Sequence, residues 1–553
     1  MLEYAVLFAA TYLVWKLLRA LYRSAPLDNL PGPSSHSWLT GHLLQLFDRQ
    51  GWDFLLHLEA RYGPVCKLQG MFGQTMLYIY DPLALQSIVA KDPPISDHVD
   101  WYLKVILDSF GPGLVSTTGE THRKQRKILS PVFSNKNLRR VTPVVHEVAR
   151  RLKEAIESIV DSGASDVDVS HYMGRAALEV AGQAVLGQAL DPLTEQHPHP
   201  YAEAIHSYTP ALSSLSRYIP LYRFARPLIP APLRRPVISC LPSTRLKNLV
   251  RIVDTMHALS AQIYAAKKKA VESLGSVEGE DGGGTKDFVS VLLRANAGAS
   301  LEEAMSEEEM VAQITTIVFG TTDTTSTSLV AILECLAEHP QAQEKLRGEI
   351  VNAKSLHEGG EIPYDTVMSL PYLDAVCKES LRVCVSHRHV YLERAIITDA
   401  TLPLSKPVRG RDGAMVHAIP VTKGLLVFVP VQSSNVSPEL WGTDARVWRP
   451  ERWLEPLPKS VTDAKIPGVY SHIMTFWGGG RSCIGFTFAQ LIIKFVLIEL
   501  IPTFKFAKTN KSVIWNIGEV IYPTVGTNSL HPAYPMEVTL VKPERAAVTE
   551  PAQ

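Results

Sequence analysis

One long helical segment constrains the fold of this chain more than any other feature. Residues Ser306 to Glu338, "SEEEMVAQITTIVFGTTDTTSTSLVAILECLAE", begin with Ser306 and Glu309 at capping-box spacing. The segment ends at His339-Pro340, since the residue before a proline avoids helical backbone angles. At about 1.5 Å per residue the helix spans roughly 50 Å, which is enough to cross a whole domain.

The middle of this helix is chemically unusual. Gly320 to Ser328, "GTTDTTSTS", combines glycine with β-branched and hydroxyl residues, which are poor helix formers. Their hydroxyls can bond the carbonyl one turn back and open the helix locally. Asp323 stands in mostly apolar surroundings, where an unpaired carboxylate is costly. Taken alone, it is either a satisfied polar contact or a functional acid.

The N-terminal segment predicts a membrane anchor. Tyr4 to Tyr22, "YAVLFAATYLVWKLLRALY", is mostly apolar and close to a bilayer span in length. A cleaved signal peptide is the competing interpretation, but Glu3 replaces a basic start and no small-residue cleavage site follows. We expect residues 1–24 to form a retained anchor that leaves the body in the cytosol, followed by a proline-rich hinge at 25–45.

The rest of the chain predicts one mainly α-helical domain with small β-sheets over residues 46–545, and a C-terminal tail at 546–553. Tyr218 to Pro242 has too many prolines for a long helix. Its mixture of arginines and apolar residues is either a loop covering the core or a second membrane-facing patch. Lys plus Arg and Asp plus Glu both number 55, which argues against nucleic-acid binding by overall charge. The scattered cysteines show neither a disulfide framework nor zinc-ligand spacing. Short strands are expected near 65–80, 395–430 and 515–540, and Val65 to Pro82 predicts a hairpin of two β-prone runs around Gly70 and Gly73.

A second helical segment carries a charged pair. In "LPYLDAVCKESLRVC", Glu379 and Arg382 are three residues apart and therefore neighbours on the helix surface. Exposed pairs of this kind contribute little, but the apolar residues around this one predict partial burial. A buried pair needs further partners, and Arg452 in "VWRPERW" is the expected one.

A basic segment, "GETHRKQRKILSPVF", places His122 and Arg126 one turn apart on one helix face. It is either a solvated basic helix or a helix whose inner face meets an anionic cofactor. In the second case Arg123, Lys124 and Lys127 would dock an acidic partner.

The segment "FWGGGRSCIG", Phe476 to Gly485, surrounds Cys483 with glycines and an arginine. The glycines permit tight backbone geometry and close approach of a flat ligand, and backbone N–H groups turned to the sulfur would stabilise a thiolate. A lone thiolate fits no zinc site, but it fits one axial position of a haem iron, because the porphyrin supplies four other ligands. Arg481 would then meet one haem propionate, and Arg126 another.

Together these residues resemble the cytochrome P450 family of haem-thiolate monooxygenases, most closely its fungal microsomal members. The resemblance covers nearly the whole chain, from the anchor to the cysteine loop, in the family's order. The motif F-x-x-G-x-R-x-C-x-G is matched at Phe476, Gly479, Arg481, Cys483 and Gly485. The other matches are E-x-x-R at Glu379 and Arg382 with Arg452, and the acid–alcohol pair Asp323 and Thr324.

The resemblance implies the cytochrome P450 fold and a haem b held by Cys483. It implies O₂ activation and hydroxylation of a lipophilic substrate such as a terpenoid, a sterol or another secondary metabolite. Electrons would come from NADPH through a separate cytochrome P450 reductase, with cytochrome b5 as a second donor, at the endoplasmic reticulum membrane. Haem neighbours would be Arg481, Arg126, His122, Phe476 and Gly485, and substrate-pocket candidates are Phe319, Thr322, Val385 and His389.

Some residues depart from the family pattern. Thr321 stands where glycine is usual, and His122 stands where tryptophan is frequent. The segment "VSHRHVYLER" lacks the frequent H-P-P run, so no propionate ligand is assigned among His387, Arg388, His389 and Arg394. Two rival functions remain, a haem-thiolate isomerase or dehydratase that needs no O₂ and a haem carrier or sensor. The pair Asp323 and Thr324 disfavours both, because neither has much use for a proton relay.

Overall fold

The computed structural model describes residues 27–90, 94–193, 199–273, 287–300, 302–358, 360–384 and 392–541, with isolated positions between 4 and 15. These residues form a mainly helical protein with small β-sheets, as the sequence predicts. The predicted anchor at 1–24 lies largely outside the described residues, and the tail at 546–553 lies wholly outside them.

The helices and strands are numbered here in chain order. The α-helices are α1 (Leu43–Leu46), α2 (Trp52–Tyr62), α3 (Pro82–Val89), α4 (Asp100–Phe110), α5 (Gly119–Leu129), α6 (Asn135–Asp161), α7 (Val169–Val180), α8 (Pro200–Ser213), α9 (Ile219–Leu228), α10 (Ala231–Cys240), α11 (Thr244–Ser273), α12 (Phe288–Ala297), α13 (Glu307–Glu338), α14 (Pro340–Leu356), α15 (Tyr364–Ser369), α16 (Pro371–Val383), α17 (Val431–Asn435), α18 (Pro438–Trp441), α19 (Lys459–Thr462) and α20 (Phe486–Thr503). The strands are β1 (Val65–Gln69), β2 (Thr75–Ile79), β3 (Ser96–His98), β4 (Asp166–Asp168), β5 (Leu392–Ile396), β6 (Ala400–Arg409), β7 (Met415–Val421), β8 (Leu426–Val429), β9 (Gly468–Tyr470), β10 (Ile473–Gly478), β11 (Phe504–Lys508), β12 (Val513–Asn516), β13 (Tyr522–Val525) and β14 (Pro535–Leu540).

Helix α13 forms the centre of the domain. The predicted capping box is present: the Glu309 amide donates to Ser306 Oγ at 3.2 Å, and the Ser306 amide donates to Glu309 Oε2 at 2.8 Å. Most of the helix is buried against α7, α11, α16, α20 and β11. The predicted local opening at its hydroxyl-rich middle is wrong. The hydroxyls do bond carbonyls one turn back, but the α-helix continues without a break because the backbone bonds persist.

The largest sheet brings distant segments together. Its strand order is β1-β2-β8-β5-β3, and β1 and β2 form the predicted hairpin. At the far edge, β3 pairs antiparallel with β5, so that Asp97 faces Ala395 and His98 faces Arg394. A second sheet pairs β11, β14 and β4 and ties the end of the domain to the region between α6 and α7.

Three further features bear on the predictions. Tyr218 to Pro242 contains two short helices, α9 and α10, with large apolar side chains such as Leu228 and Leu233 exposed. Among the described residues, α20 is the one helix long and apolar enough to cross a membrane, but 78% of that stretch is buried inside the protein. Cys335 and Cys384 form a single disulfide between α13 and the end of α16.

Candidate haem site and proton-relay residues

The cysteine loop connects strand β10 to helix α20. A short 3-10 turn over Gly479–Arg481 follows the strand, and the Cys483 amide then donates to the Phe476 carbonyl at 2.9 Å. This bond closes the loop and leaves the Cys483 side chain exposed. Gly485 is the residue immediately before α20, and the Phe476 ring is buried against neighbouring aromatic rings. The backbone of the loop therefore fixes the position of the cysteine.

Two glycines of the loop cannot be replaced by a residue with a side chain. A Cβ on Gly478 would lie 1.8 Å from the Pro467 carbonyl oxygen, and one on Gly479 would lie 2.1 Å from the Val89 carbonyl oxygen. Gly479 also has φ of +59°, a left-handed conformation that glycine adopts at little cost. Close backbone packing thus requires glycine at these two positions, whereas Gly480 has open space where a side chain would be.

Basic side chains converge beside this loop. Arg126, from α5, donates to the Ser482 carbonyl at 2.8 Å and to its hydroxyl at 2.9 Å. Arg481 Nη2 lies 2.9 Å from an oxygen of Asp97, and Arg394 Nη2 lies 3.8 Å from the same carboxylate. The arginine predicted to meet a propionate is therefore paired here with an acidic residue of β3.

His122 lies beside this basic cluster and is itself buried. Burial, together with the nearby charges of Arg481 and Arg126, lowers the pKa of His122 to about 4. The imidazole is consequently neutral at physiological pH. It can donate one hydrogen bond, but it adds no positive charge.

The cluster fits a dianionic group. Three guanidinium groups, those of Arg126, Arg394 and Arg481, lie beside this loop, and the carboxylate of Asp97 pairs with only two of them, Arg394 and Arg481. Arg394 Nη1 is buried and has no hydrogen-bond partner among the described residues. An unsatisfied buried donor of this kind is costly, and the two propionates of haem would supply both the acceptor and the missing negative charge. The residues around Cys483 therefore suit a haem.

The acid and the alcohol of α13 face different surroundings. Thr209, on α8, donates to Asp323 Oδ2 at 2.6 Å, and His206 Nδ1 lies 3.9 Å from Oδ1. Burial raises the pKa of Asp323, the Thr209 hydrogen bond offsets part of that rise, and the resulting pKa is about 7. Thr324 is partly exposed, and its hydroxyl donates to the carbonyl of Gly320, which has open space where a side chain would be.

Replacing Asp323 with asparagine is expected to stabilise the protein at alkaline pH. The folded chain holds this proton up to about pH 7, whereas the unfolded chain releases it near pH 4, so stability falls as the pH rises between those values. Above that range the buried charge costs on the order of 3 kcal/mol, which asparagine avoids. Thermal unfolding at about pH 5 and pH 8 is the measurement, and the gain should appear only at pH 8.

The control for this comparison is Asp365→Asn. Asp365 is an exposed carboxyl whose pKa is lowered by its hydrogen bond with Arg139, so its loss should bring no gain at pH 8. An equal gain for Asp323→Asn at both pH values would show that the carboxyl does not titrate in the folded protein as described.

The charged pair of α16 is fully buried. Arg382 donates through Nε and Nη2 to both oxygens of Glu379, at 2.9 and 2.8 Å. Arg452 Nε lies 3.4 Å from Glu379 Oε1, and the Trp453 indole donates to Oε2 at 2.9 Å. Arg382 Nη1 also donates to two backbone carbonyls, those of Asn435 and Ala445. The network joins α16 to the segment that precedes the cysteine loop.

The predicted substrate-pocket residues have different environments. Phe319 packs against Phe110 and Tyr208, with ring centroids 4.9 and 5.2 Å apart. Thr322 is fully buried, and its hydroxyl donates to the Val318 carbonyl at 2.8 Å. Val385 and His389 lie outside the described residues.

Sequence reasoning missed the partners that come from distant segments. Asp97 and Arg394 meet Arg481 only because β3 pairs with β5, and Thr209 and His206 reach Asp323 only because α8 crosses α13. The strand pattern of "LERAI" could have indicated the role of Arg394, because side chains of a strand alternate between buried and cavity-facing positions.

An exposed cysteine lies just before the buried helix α20, beside the arginine cluster that lacks two negative charges. This arrangement is that of a haem-thiolate protein. Comparison with known families agrees: residues 31–525 match the family model described as Cytochrome P450. The chain belongs to the cytochrome P450 family. Its members are oxidoreductases of the monooxygenase class that use haem b, a small-molecule substrate and electrons delivered from NADPH through a redox partner.

Similar proteins come from fungi. Cytochrome P450 monooxygenase 91 of Postia placenta is 44% identical over 533 residues, which is 96% of this chain and 97% of the relative. Cytochrome P450 monooxygenase 212 of the same fungus is 42% identical over 98% of both chains. A protein named ganoderic acid synthetase CYP5150L8, from Ganoderma lucidum, is 41% identical over 96% of this chain and 97% of its own.

Proposed function

We propose that this protein hydroxylates a lipophilic substrate, a terpenoid, a sterol or another secondary metabolite. Haem bound through Cys483 would supply the activation of O₂. Electrons would come from NADPH through a separate cytochrome P450 reductase, with cytochrome b5 as a second donor. Arg126, Arg394, Arg481 and His122 would hold the propionate edge, and Glu379, Arg382 and Arg452 would brace the segment that leads to the cysteine.

The observation that carries this proposal is the placement of Asp323 and Thr324. Consecutive residues of a helix are rotated by about 100° about its axis, so the two side chains lie on different sides of α13. Asp323 borders a cavity of about 440 Å³ that is open towards solvent and is also lined by His171 and His206. Thr324 lies at the open space beside Gly320.

This arrangement suits controlled proton transfer. A carboxyl with a pKa of about 7 can release and regain a proton near physiological pH. Asp323 would take protons from the cavity, and Thr324 would hold a water or substrate oxygen by hydrogen bonds and pass the proton on. O₂ reduction consumes protons, whereas isomerisation and dehydration at a haem do not need such a relay, so the pair favours monooxygenation.

Removing the Thr324 hydroxyl tests the proposal. We expect Thr324→Ala to retain haem, to consume NADPH at a comparable rate and to form at least five-fold less product per NADPH, with peroxide released instead. The assay measures NADPH, product and peroxide with reductase and a panel of terpenoid, sterol and fatty-acid substrates. Unchanged coupling would contradict the assigned role, and turnover without NADPH or O₂ would favour the isomerase.

Ser328→Ala is the matched control for this experiment. The Ser328 hydroxyl also donates to a carbonyl one turn back on α13, that of Thr324, at 2.8 Å, but the side chain is fully buried. Its loss should leave coupling unchanged, so that any effect of Thr324→Ala reports on the exposed hydroxyl and not on the helix.

Exposed apolar residues at two places support a membrane location. Tyr4 and Phe8 are helical and 78% and 75% exposed, and Leu228 at the end of α9 is 80% exposed. An N-terminal anchor at 1–24, a hinge at 25–45 and a catalytic domain at 46–545 would hold the protein at the endoplasmic reticulum membrane. The exposed Arg123 and Lys127 of α5, with Lys124, would then dock the reductase from the cytosolic side.

A further inference from the structure

A second cavity carries chemistry that the proposed mechanism does not use. It has a volume of about 120 Å³ and lies between α4, α8, β5 and the turn that joins β12 to β13. Its walls are largely apolar and aromatic, with Trp101, Tyr102, Leu212 and Ile517 among them. Whole ligand pockets usually measure about 300–1,000 Å³, so this cavity has room for one end of a substrate.

Two carboxyl groups line this apolar cavity. Glu519, in the β12–β13 turn, accepts a hydrogen bond from the Tyr102 hydroxyl at 2.6 Å. Glu393, on β5, lines the same cavity, and its carboxyl makes no hydrogen bond or ion pair with any residue that the structure describes. No lysine or arginine is found among the described residues of the lining. Such polar groups are costly in apolar surroundings unless something bonds them.

The position of Glu393 links the cavity to the cofactor site. Glu393 immediately precedes Arg394, and successive side chains of a strand point to opposite faces. Arg394 meets Asp97 in the basic cluster beside the cysteine loop, while Glu393 faces the cavity. The cavity and the arginine cluster that suits the propionates therefore lie on opposite faces of β5. Helix α4, which supplies Trp101 and Tyr102, ends at Phe110, which packs on Phe319 of α13.

We propose that this cavity binds the oxygen-bearing end, a hydroxyl or a carbonyl group, of the lipophilic substrate. Glu393 donates the hydrogen bond to that oxygen, and Glu519, positioned by Tyr102, accepts one from a hydroxyl. Burial raises the pKa of both carboxyls, and the proximity of Glu519 raises that of Glu393 further, which favours the protonated form of Glu393 that can donate. The apolar walls take the adjoining hydrocarbon. The inference rests on the proposed function, and it adds that the substrate already carries an oxygen at the end held away from the reaction.

Binding titrations on the purified holoenzyme test this inference without turnover. The probes are matched sets of compounds on terpenoid, sterol and straight-chain skeletons. Each set contains the alcohol, the ketone or aldehyde, the parent hydrocarbon and the dimethylamine. Spin-shift spectra measure the binding of each compound. The wild type should bind the alcohol at least ten-fold more tightly than the hydrocarbon on one or more skeletons, which is the effect of about one hydrogen bond. Glu393→Leu should remove that preference, and Glu393→Gln, which keeps a donor, should restore most of it.

The controls separate binding from folding. Glu203→Gln changes an exposed glutamate of α8 and should alter neither preference nor thermal stability. If Glu393→Leu changed the melting temperature but left the preference intact, the carboxyl would be structural and the inference would fail. Equal binding of alcohol and hydrocarbon, a preference for the amine, or no spin shift on any skeleton would also overturn it. The reduced carbon-monoxide spectrum tests the proposed function separately, since it does not depend on Glu393.

Discussion

Cys483→Ala is expected to abolish the thiolate-haem spectrum and all monooxygenase activity while leaving the fold intact. The reason is that the loop is held by backbone contacts: the amide of residue 483 bonds the Phe476 carbonyl whatever its side chain, and Gly478 and Gly479 fix the turn. The exposed sulfur contributes little packing. Alanine offers no ligand, so the electron donation that favours O–O cleavage is lost outright.

The measurement is the carbon-monoxide difference spectrum of the reduced protein, together with haem content per chain and thermal unfolding. Cys240→Ala is the matched control, since Cys240 is also exposed and lies outside the disulfide, on α10. It should retain the wild-type spectrum. A thiolate spectrum that survives in Cys483→Ala would show that another cysteine binds the iron.

The sequence predicted best those features that depend on neighbours along the chain. The capping box of α13 uses residues three apart, and so does the pair of Glu379 and Arg382, because helical geometry alone brings such residues together. The β1–β2 hairpin could also be predicted, because its two strands are neighbours along the chain. The cysteine loop could be predicted because glycine is needed where the backbone packs closely, and larger residues would clash there.

Features that depend on long-range packing could not be predicted. Asp97 and Arg481 are far apart in sequence, and their contact requires the edge strand β3 to join the sheet beside β5. The environment of Asp323 depends on α8, and nothing within the long helix shows whether Thr209 or an empty interior lies opposite it. The disulfide between Cys335 and Cys384 likewise depends on how α13 and α16 cross.

The prolines between Tyr218 and Pro242 predicted no long helix, and the structure explains how they are accommodated. Helices α9 and α10 have ten residues each and are separated by a break at Ile229-Pro230, with one proline in the first turn of each and a second inside each, Pro227 and Pro236. A proline in the first turn removes no intrahelical bond, whereas one in the interior does, which agrees with the short length of both helices. The local rule was therefore right about helix length, and only tertiary structure shows that both segments are helical.

Arg382→Ala is expected to prevent accumulation of folded, haem-loaded protein. Removing one partner of a buried ion pair costs about 3–5 kcal/mol, because the other charge stays buried without compensation. A whole domain is stable by only about 5–15 kcal/mol. Here the loss is compounded, because Arg382 also donates to the carbonyls of Asn435 and Ala445, which would lose their partners together with Glu379. Expression yield, haem content and thermal unfolding measure the effect.

Replacing both partners with leucine, in Glu379→Leu with Arg382→Leu, should not rescue folding. An isolated buried pair can often be exchanged for apolar residues without loss. Glu379, however, also accepts hydrogen bonds from the Trp453 indole and the Arg449 amide, and the double variant would leave both donors unsatisfied. It would also remove the carboxylate that lies beside Arg452. Arg139→Ala is the control, since Arg139 pairs with Asp365 on the surface, and it should unfold as the wild type does. If the double variant recovered wild-type stability, Glu379 and Arg382 would be an isolated pair rather than the centre of a network that holds the segment before the cysteine loop.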